Sequence, residues 1–225
     1  MFDEYDETMR KLPVYLVLDC SGSMMGAPIE SVRQGVTDLL TALRGDPQAL
    51  ETVWLSVITF DSKANQIVPL TPIDKFQPPS LDAGGTTSLG QALDVLTNAI
   101  ATEVKTSSPT QKGDWKPLVF LMTDGVPTDP WEQQADNFKV RPPGKMIAVG
   151  VGSQVKEATL KRLSDDSFLM KDATPDDFAA FFKWVSGSIL TQSQKAPEPD
   201  LDPSEEEGEA SSTLPPPPPE IQLIP

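Results

Sequence analysis

The chain has 225 residues with 33 acids, 18 bases and a net charge of −15, and its 38% hydrophobic content suffices for one buried core plus a tail. Such a balance lacks the basic stripe that nucleic acid or an anionic membrane would require, so proteins or metal ions are the expected partners. There is no histidine, which removes the usual base of a serine hydrolase, and the single cysteine, Cys20, rules out an intrachain disulfide.

The first ten residues, "MFDEYDETMR", are acidic where a secretory signal would be basic and then apolar, and they read as an N-terminal extension of a cytoplasmic protein. From residue 11 to 191 apolar runs of strand length alternate with segments of helical period. The runs "LPVYLVL", "VWLSVITF", "PLVFLM" and "KMIAVGV" are nearly continuous in large apolar residues, as strands buried on both faces should be. None approaches the roughly 20 residues needed to cross a bilayer. "NQIVPL" follows the second run through "DSKA" as an antiparallel edge hairpin, and "SFLMK" reads as a short last strand.

Between the strands, "APIESVRQGVTDLLTAL" places Ile29, Val32, Val36, Leu39, Leu40 and Leu43 on one helical face, with Pro28 suited to the first turn. "TSLGQALDVLTNAI" and "TPDDFAAFFKWVSGSIL" repeat the pattern. The expected fold is α/β and doubly wound: a mostly parallel six-stranded sheet with one antiparallel edge strand and helices on both faces.

Residues 192–225 form the remainder. Eight of the 33 acids fall in 196–225 with no Lys or Arg, leaving 25 acids against 18 bases before it. Rich in Pro, Glu and Ser, this tail is expected to be disordered, with Pro215 to Pro219 in a polyproline conformation. Only the closing "IQLIP" offers anything that could grip a surface.

Three loops carry oxygen-bearing side chains and glycines: "DCSGSMMG" after the first strand, "DAGGTTSLG" before the second long helix, and "MTDGVPTD" after the "PLVFLM" strand. Ligands of open parallel sheets bind beyond the carboxyl ends of strands, where the strand order reverses. If the strands run outward from the first and the chain then returns to its other side, Asp19, Ser21, Ser23, a threonine of the second loop and Asp124 come together. Two carboxylates and three hydroxyls suit a hard cation; magnesium (Mg2+) fits best, with calcium and manganese as alternatives. Taken singly, Asp19, Ser21 or Ser23 could equally cap the helix that follows. Asp61 reads as turn chemistry, Cys20 as a small buried residue, and Met24 and Met25 either as an apolar rim or as packing beneath the helix.

Asp19-Cys-Ser21-Gly-Ser23, the later threonine, and Thr123-Asp124-Gly125 together resemble the metal-ion-dependent adhesion site of von Willebrand factor A (VWA) domains, over nearly all of residues 11–191. The resemblance implies direct coordination by Ser21 and Ser23, with Asp19 and Asp124 acting largely through water or holding the serines. It favours Thr87 over Thr86 as the threonine, because family members carry a helix leucine six residues on, here Leu93. "LPVYLVLDCSGSMMGAPIESV", "LETVWLSVITFDS" and "GGTTSLGQAL" resemble, more narrowly, the bacterial TerY-like branch associated with tellurite and chemical-stress resistance. That resemblance implies a non-enzymatic adaptor that binds an Asp or Glu of a partner through its metal, the partner being a Ser/Thr kinase or a metal-dependent phosphatase. Two alternatives stand beside it: a phosphatase or phosphotransferase using Asp19 as nucleophile, and a scaffold acting through the Pro-rich tail. For the first, the position two residues on is Ser21 and not the second acid such chemistry commonly needs.

Overall fold

In the computed structural model, which describes residues 10–108, 112–194 and 214–224, one seven-stranded sheet organises the chain. Its strands are β1 (Leu12–Asp19), β2 (Val53–Phe60), β3 (Ala64–Pro72), β4 (Leu118–Thr123), β5 (Lys145–Val151), β6 (Ser167–Met170) and β7 (Gln222–Leu223). They lie in the order β3-β2-β1-β4-β5-β6-β7, parallel except for the two edge strands β3 and β7. The fold class is therefore as expected, an α/β sheet wound outward on both sides of β1, with the seventh strand as an addition.

Every residue of β1 is buried, and alternate residues serve different cores. Val14, Leu16 and Leu18 face the side covered by α1 (Ala27–Arg44), α2 (Pro47–Thr52) and α6 (Pro175–Gln194). Tyr15 and Val17 face α3 (Leu89–Glu103), α4 (Glu132–Val140) and α5 (Glu157–Leu163). This is the period of two that a strand imposes, applied to a strand with helices on both sides. On the first side α1 and α6 approach so closely that a Cβ added at Gly35 would lie 2.0 Å from the Phe182 ring. At the start of α6, Thr174 and Asp177 exchange side-chain and backbone bonds, 2.8 Å and 3.3 Å, closing a capping box.

Of residues 192–225, expected as a disordered tail, 192–194 and 214–224 are described, and both stretches belong to the fold. Helix α6 runs through to Gln194, and Leu214–Ile224 lies against the domain. Trp184 Nε1 donates to the Pro215 carbonyl at 2.8 Å, and β7 pairs with β6. A composition argument averages over the tail, whereas Ile221 and Ile224 are buried at its end and add to the Trp184 bond and the pairing with β6. The acid-rich stretch 195–213 and all but the last residue of the 1–10 extension lie outside the described residues.

Candidate metal centre

β1 lies between β2 and β4, so the strand order reverses at the carboxyl ends of β1 and β4, whose last register pair is Leu18 with Met122. Asp19 and the Thr123–Asp124 step thus leave the sheet side by side. Asp19 is 1% exposed, with Oδ1 accepting the Ser21 N–H at 2.8 Å and Oδ2 accepting the Thr123 hydroxyl at 2.6 Å. From Ser21 the chain makes one 3-10 turn, Gly22–Met24, which folds Ser23 Oγ back to 3.1 Å from Ser21 Oγ. Asp124 Oδ1 accepts from Ser23 Oγ at 2.7 Å and, weakly, from Ser21 Oγ at 3.5 Å.

The second loop is clipped to the first by two backbone bonds, Gly22 N to Gly85 O at 3.1 Å and Gly84 N to Cys20 O at 2.8 Å. Gly85 has φ +76° and Ser62 Oγ would lie 2.3 Å from a Cβ there, so both conformation and contact require glycine. The two threonines then part. Thr86 is exposed, and its N–H and hydroxyl meet Ser62 Oγ at 3.1 and 3.4 Å. Thr87 is buried, its hydroxyl 3.0 Å from where a Gly125 Cβ would stand, beside Asp124. All five residues singled out in the sequence, Asp19, Ser21, Ser23, Thr87 and Asp124, are therefore gathered at the sheet's switch point, with Thr86 turned aside.

Residues of the third motif loop that were not singled out as ligands hold this arrangement. The Thr123 hydroxyl fixes Asp19, while Thr128 accepts the Thr87 N–H at 3.1 Å and donates its own N–H to the Thr87 carbonyl at 2.8 Å. Asp129 accepts the N–H groups of Gly90 and Gln91, both at 3.0 Å, and so caps α3 from another loop. Thr128 and Asp129 close the quoted loop "MTDGVPTD", but a "TD" beside prolines reads as ordinary turn composition and does not mark them out as supports. Asp61, by contrast, closes its own turn, accepting from Lys63 N at 2.9 Å. Met24 packs in the core and Met25, 64% exposed, stands on the rim.

Burial pushes both carboxyls above the usual range. For Asp19 the hydrogen bonds from Ser21 and Thr123 partly oppose that effect; for Asp124 the Ser23 bond opposes it and the Asp19 charge adds to it. No basic side chain figures among these influences. Burial likewise pushes the Cys20 thiol up to about 12. A buried and a half-buried carboxylate with no basic side chain among their influences, beside three hydroxyls, form a donor set that fits a hard dication. Among the described residues no group of three or more His, Cys, Asp and Glu is placed to hold a metal, so this mixed set of acids and hydroxyls has no rival of that kind.

Residues 14–183 match the family model of the von Willebrand factor type A domain. This chain belongs to that family. Among solved structures, this VWA domain resembles proximal thread matrix protein 1 from the mussel byssus, described with a zinc-occupied MIDAS motif, at TM-score 0.58 and 18% identity, covering 80% of this chain and 48% of that one. It also resembles a von Willebrand factor type A protein from Catenulispora acidiphila (TM-score 0.59, 16% identity, 81% and 43% covered). A third likeness is to the PilB minor pilin from Streptococcus sanguinis (0.60, 11%, 85% and 64%). At these identities the likeness is one of fold, and the chain spans about half the length of the mussel protein. No curated protein sequence matches it. No helix among the described residues is long and apolar enough to cross a membrane.

Proposed function

We propose that this VWA domain is a non-enzymatic protein-binding module that holds a divalent metal, magnesium before calcium or manganese, on Asp19, Ser21, Ser23, Thr87 and Asp124. The observation that carries the reading is the open side of the cluster. Ser23 is exposed and bonded at 2.7 Å to a half-exposed Asp124, while Asp19 and Ser21 are sealed beneath. A bound dication supplies positive charge against two carboxylates and an acceptor for one more oxygen ligand. In that setting Thr123 and the Ser21 N–H orient Asp19, Thr128 orients Thr87, and the exposed Ser23 and Asp124 face a partner's Asp or Glu.

The rival reading, in which Asp19 is a phosphotransfer nucleophile, fits poorly. Both Asp19 oxygens are engaged, the side chain is 1% exposed, and Ser21 stands where a general acid would be wanted. A scaffold recruiting partners through the tail fares no better for its closing segment, which is already seated on the domain. The finer assignment, a cytoplasmic adaptor in a bacterial chemical-stress response of the tellurite-resistance type whose partner is a Ser/Thr kinase or metal-dependent phosphatase, rests on the resemblance of the three quoted segments.

Thermal melting of the EDTA-stripped protein with added magnesium tests the reading. The wild type gains melting temperature by mass action, Asp124→Ala does not, and capture of protein partners from the source cell is lost with chelator or with Asp124→Ala. A wild type whose melting ignores magnesium, calcium and manganese, or a mutant that shifts equally, overturns it.

A further inference from the structure

The outer edge of β6 is covered by the chain's own end. Leu223 and Gln222 pair antiparallel with Phe168 and Leu169, and Ile224 N donates to Ser167 O at 2.9 Å. Ile221 and Ile224 flank the two strand residues, one at the turn that enters β7 and one just beyond it, and they reach opposite faces of the sheet. Ile221 is buried in the core of α1 and α6, Ile224 in the core of α3, α4 and α5. The segment therefore straddles the sheet edge, one isoleucine on each side. Before it, Leu214 packs on the first core and the Pro215 carbonyl takes the Trp184 indole N–H at 2.8 Å, with the Phe168 ring 5.3 Å from Trp184 in edge-to-face contact. Between the anchors Gln222 and Leu223 are exposed and contribute backbone alone. The proline run leads into a turn closed by the Ile221 N–H on the Pro218 carbonyl at 3.0 Å, and its fixed φ angles limit the entropy lost on seating.

We propose that the β6 edge and Trp184 form a peptide-binding site whose ligand is a proline-led segment that turns once and then adds Ile-x-x-Ile to the sheet edge. Leu214–Ile224 is its tethered ligand, and the same segment of a second copy of this chain takes its place. Strand addition supplies affinity through backbone bonds and specificity through the two isoleucine sockets. The grip consists of a two-residue ladder, three apolar side chains and one indole bond, so the covalent connection through the nineteen residues 195–213 contributes much of the occupancy by raising the local concentration of the segment. An identical segment in trans differs only in lacking that connection.

A fluorescein-labelled synthetic peptide of residues 214–225 is the probe, followed by polarisation. Full-length Ile221→Ser/Ile224→Ser, with its own segment unseated, binds it saturably, and wild type binds it at least about 100-fold more weakly. Adding Trp184→Phe weakens the peptide about fivefold, the loss of one hydrogen bond. Wild type also forms a concentration-dependent dimer that excess peptide dissolves. Should the double variant fail to fold, wild type carrying a protease site inserted between residues 203 and 204 replaces it. Once cut, the terminal fragment no longer has its tether, and labelled peptide replaces it saturably. Equal binding by wild type and folded variant, no saturable binding by the variant, or loss of the cut fragment without exchange overturns the site. A wild type monomeric at every concentration overturns the exchange between copies.

Discussion

The Thr123 hydroxyl donates to Asp19 Oδ2 across 2.6 Å, although 104 residues separate the two in the chain. The bond exists because β4 returns to the free side of β1, and it joins two of the three motif loops beneath the cluster. Thr123→Val keeps the shape and removes the donor, leaving a buried carboxylate oxygen short of a partner. A loss of about 1–3 kcal/mol in urea unfolding of the metal-free protein is expected, together with a 10–100-fold loss of magnesium affinity. Unchanged values for both would detach Thr123 from the site.

A second expectation concerns pH. Asp19 and Asp124 bind protons more readily in the folded chain than in the unfolded one, so their contribution falls as pH rises from the ordinary carboxylate range through their raised folded values. Without divalent metal, Asp124→Asn is therefore more stable than wild type at pH 7, and the gap closes on acidification. Asp136 and Asp165, lowered by Arg162 and Lys139, contribute the opposite slope in both proteins, so the difference between the curves is the informative quantity. A gap that widens towards low pH would contradict the assignment.

Packing supplies a third. Gly35→Ala places a methyl within the Phe182 ring and forces α1 and α6 apart, costing about 1–3 kcal/mol or more. Since α1 and α6 meet at that point, Gly35→Ala/Phe182→Leu should lose less than the two single changes together. Additive losses in denaturant melts would show that the helices separate elsewhere.

Much of this was legible in the chain because burial on two faces writes continuous apolar runs, as in β1, β2, β4 and β5. Asp19, Ser21, Ser23 and Asp124 stood out because they follow such runs, and Thr87 because its glycine-rich loop opens a helix. What was missed lacks that contrast. Helix α4 buries only Ala135 and Phe138, α5 is seven residues long, and β7 is two residues in a segment whose composition argues for disorder. Thr128 and Asp129 act through backbone groups of a distant loop, a relationship that no local spacing encodes.

Cys20 sits between two residues of the cluster, yet it is 3% exposed and its thiol is pushed up to about 12, so almost none of it is thiolate at neutral pH. Electrophiles and peroxides act on thiolates, and here they meet a protonated sulfur sealed under the sheet's end. A reagent that needs a thiolate therefore finds no ready target at Cys20, and the only sulfur that the described part of the loop turns outward beside the cluster is the Met25 thioether.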